Sequence, residues 1–186
     1  MDNIFFNLKE LKHLGNSIII GKTVRIRKPE SVSIDDGSII DDFTYISCAL
    51  EIGKYSHIAP NVTISGGSSK VTMGNFVGIA AGVSIHAQSS EYISASLDLP
   101  SIPKRYRIGG IDQEITISDH VIIGAKSTVL PGVVLPEGFA SAANSVVPKG
   151  TYDSWTLYGG SPIKKICVRK KDKILEIAGK ILQDNK

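Results

Sequence analysis

The feature that most constrains this 186-residue chain is a spacing of six. From Ile34 onward, every sixth residue is isoleucine through Ile40, Ile46, Ile52, Ile58 and Ile64. After a three-residue slip the series resumes at Met73, Ile79 and Ile85. It returns as Ile117, Ile123, Val129, Leu135, Ser141 and Val147, while Ile20, Ile26 and Val32 form a weaker prelude in another phase. A helix carries a six-residue stripe off its own face, and a lone amphipathic strand alternates with period two. A six-residue period therefore requires a chain that turns a corner every six residues. The residue three after the anchor is often Gly or Asn (Gly37, Asn61, Gly82, Gly132, Gly138, Asn144), types that tolerate positive φ and so place the corner. The residue four after the anchor is usually small or β-branched, as at Ser38, Thr44, Val62, Val121 and Ser145, which suits a crowded interior. Three hexads close a triangular coil, and stacked coils hydrogen-bond about 4.8 Å apart into a continuous core.

Composition agrees. Ile (27 residues) and Val (13) dominate while aromatics make up only 6%, a balance that favours strands. With 21% charged residues the chain is not of the disordered class. The N-terminus shows no basic start, apolar run and small-residue cleavage site, so no secretory signal is expected. No apolar stretch is long enough to span a membrane. Cys48 and Cys167 stand far apart without ligand-like spacing, which predicts neither disulfide nor zinc and a reducing, cytoplasmic setting. The net charge of +3 is too mild to imply nucleic acid, and its basic part is local: residues 163–186 hold eight Lys or Arg against three acids.

Three regions break the repeat, which otherwise runs over about residues 18–150 of a single expected domain. Residues 1–16 read as a short helix with apolar Ile4, Phe5, Leu8, Leu11 and Leu14. Residues 86–116 form a long excursion containing Pro100 and Pro103, and a long loop in an economical solenoid is usually functional. Residues 151–162 leave the repeat, and a basic helix is expected over 163–186, with Ile174, Leu175, Ile177, Ala178 and Leu182 as its buried stripe.

The hexad pattern, with the run Ile117-Ser-Asp-His-Val-Ile-Ile-Gly-Ala-Lys-Ser-Thr-Val-Leu-Pro-Gly-Val and the closing Gly160-Ser-Pro-Ile-Lys-Lys, resembles the hexapeptide-repeat acyltransferases that use acetyl-CoA. The resemblance implies an all-β, left-handed parallel β-helix that works as a homotrimer with its sites at subunit interfaces. It implies pantetheine lying along a corner lined by small residues. Ala81, Gly124, Ala125 and Ala143 match that column with Pro60, and Lys149 and Lys164 stand where CoA phosphates approach.

A sugar hydroxyl is a poor nucleophile, so the reaction calls for a neutral imidazole as general base. Among four histidines, His13 falls in the expected N-terminal helix and His120 at a corner position. His57 and His86 are the rival bases, or a base and an acceptor contact facing each other across an interface. Neither follows the family closely. Pyrrolic amino-sugar members place their catalytic histidine where this chain has Cys48, and galactoside-type members place theirs near Ser90. The excursion segments Ser89-Ser-Glu-Tyr and Pro103-Lys-Arg-Tyr resemble polysaccharide O-acetyltransferases. Ser90, Glu91, Tyr92, Arg105 and Tyr106 are accordingly expected to bind the acceptor, with Arg107 a further phosphate contact.

The leading expectation is O-acetylation of a sugar or surface-glycan precursor. The alternatives are N-acetylation of a nucleotide-linked amino sugar and a non-catalytic β-helix. The γ-type carbonic anhydrases, which share the fold, need convergent histidines, two of them five residues apart; Ala125 stands five after His120, so no metal is expected.

Overall fold

The computed structural model describes residues 3–184, which form a parallel β-helix of about 7 turns followed by one α-helix. Three parallel sheets make the faces of a triangular prism. Face 1 stacks His13–Leu14, Val32–Ile34, Ala49–Ile52, Lys70–Met73, Ile115–Ile117 and Val134–Leu135. Face 2 stacks Ile19–Ile20, Ile39–Ile40, His57–Ile58, Gly78–Ile79, Ile122–Ile123, Ala140–Ser141 and Thr156–Gly159, closed by the antiparallel Lys164–Val168. Face 3 stacks Arg25–Ile26, Tyr45–Ile46, Thr63–Ser65, Ser84–His86, Thr128–Val129 and Val146–Val147.

The anchors lie in register. Ile34 pairs Ile52, Ile40 pairs Ile58, and Ile46 pairs Ile64, with Ile40, Ile46, Ile58 and Ile64 fully buried. All six Gly and Asn corner residues have positive φ, as do Tyr55, Phe76, His120 and Lys126. The prelude is in phase after all: Leu14 pairs Ile34, Ile20 pairs Ile40 and Ile26 pairs Ile46. A 3-10 turn at Pro29–Ser31 takes up the two extra residues between Ile26 and Ile34, which is why Val32 looked like an anchor in a shifted series.

Every irregularity in spacing lies at the edge between faces 3 and 1. The steps from face 1 to 2 and from face 2 to 3 are six residues in each coil, from Leu14 to Ile20 through Ser141 to Val147. The steps from face 3 to 1 are eight residues at Ile26–Ile34, nine at Ile64–Met73 and thirty-two at Ile85–Ile117.

Polar corners are tied coil to coil at the 1/2 edge. Asp36 Oδ1 accepts from Asn16 N–H, Asn75 Oδ1 from Lys54 N–H and Asp119 Oδ1 from Asn75 N–H, each at 2.8 Å. Beside them runs an aromatic column, Tyr55–Phe76–His120–Trp155, with successive ring centroids 5.5, 5.2 and 5.5 Å apart. Gly138 stands between His120 and Trp155, and a Cβ there would collide with the indole.

Both termini depart from expectation. The N-terminal helix is reduced to a 3-10 turn at Leu8–Glu10, capped by the Asn7 side chain; residues 1–2 lie outside the described residues. The backbone donors that a helix would use internally go to the second coil instead, Lys12 N–H to Pro29 and Gly15 N–H to Ile34. At the other end, residues 151–162 do not simply leave the repeat, because Thr156–Gly159 adds a seventh rung to face 2. The helix begins at Asp172, since Lys164–Val168 is drawn into an antiparallel strand that covers the last open edge of that face. Ala178 is buried on this helix, whereas Ile174, Leu175 and Ile177 are exposed. Among the described residues no helix is long and apolar enough to cross a membrane.

A buried anchor should carry a large share of local stability. Ile46→Ala, at a fully buried position, is expected to lower unfolding free energy by about 2–5 kcal/mol in urea titration.

Candidate active site

The small-residue column sits on the 2/3 edge, and hydrogen bonds trace it. Gly82 N–H donates to Pro60 C=O at 3.1 Å, Lys126 N–H to Ala81 C=O at 3.0 Å and Asn144 N–H to Ala125 C=O at 2.9 Å. The N–H groups of Ala81, Ala125 and Ala143 make no hydrogen bond to any described residue. At the 1/2 edge the N–H groups of Asn16, Lys54 and Asn75, each two residues after an anchor, are taken by Asp or Asn side chains of the next coil. Alanine has no acceptor, so this edge presents a row of open backbone donors. Gly124 has a packing reason: a Cβ there would lie 2.5 Å from the Ala143 nitrogen. Gly160 continues the edge, donating to Ser145 Oγ at 3.1 Å, and Lys164 pairs with the adjacent Gly159. Lys164 thus stands at the end of the alanine column. Lys149 does not: it is one corner further on, at the 3/1 edge, with Nζ 3.3 Å from Gln113 Oε1.

The histidines separate by face. His57 projects from face 2, half-exposed, with Nε2 2.8 Å from Asp41 Oδ2. His86 ends the Ser84–His86 strand of face 3, with Nδ1 2.7 Å from Ser65 Oγ. Burial pushes its imidazole below the usual histidine value, which favours the neutral form. One chain therefore does not bring His57 and His86 together. His120 is a corner residue with φ of 59°, its ring stacked on Phe76. His13 lies exposed in the first strand of face 1, not in a helix.

The excursion is an arm with a firm base. Gln88–Ser89 pairs antiparallel with Ile111–Asp112, and Leu97 bridges Ile108 further out. The base is latched to the turn that follows Ser65. Gln88 Oε1 accepts from Gly67 N–H at 2.8 Å, and Asp112 accepts from the N–H groups of Ser68 and Ser69 at 3.0 Å and from the Ser68 hydroxyl. Burial alone would raise the Asp112 carboxyl, but the Ser68 and Ser69 donors outweigh it and hold the group below its usual range.

Ser90, Glu91 and Tyr92 line a cavity of about 500 Å³ between this base and Leu130, Pro131 and Lys149. Arg105 and Tyr106 are not among its walls. They sit on a 3-10 turn with the Arg105 guanidinium 4.8 Å from the Tyr106 ring centroid. Arg107 is spent on the carbonyls of Pro100 and Ile102. Glu91 accepts from the Ser94 hydroxyl within the arm. Among the described residues no three His, Cys, Asp or Glu side chains gather as metal ligands do.

No family model matches the sequence. A curated relative does: the dTDP-4-amino-4,6-dideoxy-D-glucose acyltransferase of Escherichia coli is 35% identical over 175 residues, spanning 91% of this chain and 89% of the relative. The chain belongs to the hexapeptide-repeat acyltransferases. The left-handed β-helix of that family agrees with the stacked coils above. AntD, an N-acyltransferase from Bacillus cereus solved with dTDP and 3-hydroxybutyryl-CoA, superposes with a TM-score of 0.88 at 33% identity, covering 98% of each chain. A putative lipopolysaccharide O-acetyl transferase of Escherichia coli K12 is 32% identical over 124 residues, 66% of this chain and 59% of its own.

Within this acyltransferase, sequence reasoning missed Asp41, Ser65, Gln88 and Asp112. The nine-residue step between Ile64 and Met73 marked the turn that Gln88 and Asp112 grip, but not its partners. In Asp112→Ala, amide exchange at Ser68 and Ser69 should rise about tenfold, by the loss of charge-assisted hydrogen bonds. In the wild type this protection is present at neutral pH. Because the folded carboxyl is held below its usual range, protection is lost only as pH falls through that lowered value.

Proposed function

We propose that the protein transfers an acetyl or other short acyl group from acyl-CoA to the amino group of a dTDP-linked 4-amino-4,6-dideoxy sugar. The observation that carries this reading is the near full-length 35% identity to an acyltransferase of that substrate class. The O-acetyl alternative rests on a relative matched over 66% of this chain, and N-acylation displaces it as the leading reading.

The alanine edge supports acyl-CoA as co-substrate. Pantetheine is a chain of amides, and the open N–H groups of Ala81, Ala125 and Ala143 offer donors along it, with Lys164 toward the phosphates. His86 acts as base. The sugar amine attacks the thioester carbonyl, and the neutral imidazole accepts the proton that the nitrogen sheds. The C–S bond then breaks, and the departing thiolate recovers that proton as CoA thiol. His57, oriented by Asp41, contacts the acceptor. Ser90, Glu91 and Tyr92 line the acceptor's entry, while Arg105 and Tyr106 reach it from the arm.

A single chain holds the alanine column on the 2/3 edge and the excursion cavity on the 3/1 edge, with face 3 between them. A neighbouring copy closes this gap, and the proposed assembly is a homotrimer. The outward positions of face 2 favour burial: apart from His57 and Gly78 they are Ile19, Ile39, Ile122, Ala140 and Leu157, with Ile19 57% and Ile122 45% exposed. The corresponding positions of face 3 include Arg25, Tyr45, Thr63, Ser84 and Thr128.

Thiol release from acetyl-CoA tests the chemistry. Turnover is expected with dTDP-4-amino-4,6-dideoxyglucose and not with the analogue bearing a hydroxyl at that carbon, and the reverse preference would return the reading to O-acetylation. His86→Ala should lower kcat by about 10²–10⁴-fold, whereas His57→Ala should act mainly on KM. Sedimentation is expected to give three chains per particle, and a monomer would leave the two edges unconnected.

A further inference from the structure

We propose that Ser65 is a positioning residue for His86, accepting a hydrogen bond from Nδ1–H and so presenting Nε2 as the proton acceptor. This inference rests on His86 as the base.

The two residues are direct neighbours on face 3, where Ser65 pairs His86 one rung apart and Ser65 Oγ lies 2.7 Å from Nδ1. A neutral imidazole carries one proton, and its position is set by the partner of the other nitrogen. If the hydroxyl donated to Nδ1, the proton would sit on Nε2 and neither nitrogen could accept another without losing that bond. If the hydroxyl accepts, Nδ1 keeps its proton through the whole cycle. Nε2 then gains and returns a proton while the ring stays anchored. Free histidine in water favours the opposite tautomer, so the acceptor has work to do.

Ser65 is held from both sides for this role. On one side, Ile64 is a fully buried anchor paired with Ile85. On the other, Ser65 C=O accepts from Ala87 N–H at 2.6 Å, and the turn beyond it is gripped by Gln88 and Asp112. Gln88 and Asp112 are themselves paired across the base of the excursion. The base of the arm thus fixes the backbone that aims the hydroxyl, and the arm and the imidazole share one support.

Ring-nitrogen NMR of the full-length enzyme with ¹⁵N-labelled histidine, combined with steady-state kinetics, tests the assignment. In the wild type the His86 proton is expected on Nδ1. In Ser65→Ala it should move to Nε2, with kcat falling about tenfold and KM held within about twofold. Ser65→Thr, which keeps the hydroxyl, should restore both tautomer and kcat. A wild-type proton on Nε2, or a Ser65→Ala enzyme unchanged in tautomer and kcat, would overturn the proposal. His86→Gln separates the two ideas: full turnover in that variant removes His86 as base, while the tautomer measurement judges the Ser65 hydrogen bond independently.

Discussion

Everything in this molecule depends on coils that stack one strand spacing apart with identical positions in register. Each backbone group of a rung is satisfied by the rung above and the rung below, so the faces need no partner outside the solenoid. The prism that results is narrow. Its interior takes columns of Ile and Val whose stiff, branched side chains lose little freedom on stacking. It takes few rings, and the largest aromatic cluster in the fold, Tyr55–Phe76–His120–Trp155, lies along an outer edge.

The same register decides where chemistry can occur. Once the faces are closed by their own hydrogen bonds, only the corners expose backbone donors, and the residue two after the anchor determines their fate. Where it is Asp or Asn, as at Asp36, Asn75 and Asp119, the neighbouring donor is consumed and the edge is structural. Where it is Ala, as at Ala81, Ala125 and Ala143, the donors stay open. In the later coils this choice of side chain separates a sealed edge from an open one without any change in backbone path.

The repeat was legible because one spacing names both the buried anchors and the corners, and the structure keeps nearly all of them. What escaped was tertiary in origin. Nothing local in residues 8–16 reveals that Lys12 and Gly15 donate to the second coil, which turns an apolar stretch into a plug and a first rung. The strand at Lys164–Val168 exists only because the last rung of face 2 needs a cover. The site was half visible. The alanine column follows from counting, as does the corner role of His120. Lys149, expected with Lys164 near the CoA phosphates, stands one hexad after Ala143 and hence one corner away from the column. Asp41, Ser65 and Asp112 are ordinary polar residues whose importance comes from facing a histidine or a turn on another coil.

The confinement of all irregular steps to the 3/1 edge has a consequence for how such a protein changes. Two of its three edges are a straight, evenly graduated track, and a chain running along them meets the same interval at every rung. The third edge absorbs length. Two, three or twenty-six residues beyond the regular six are accommodated there, and the next coil resumes in step. Loops on that one side can therefore lengthen, shorten or be replaced while the other two edges keep their gauge.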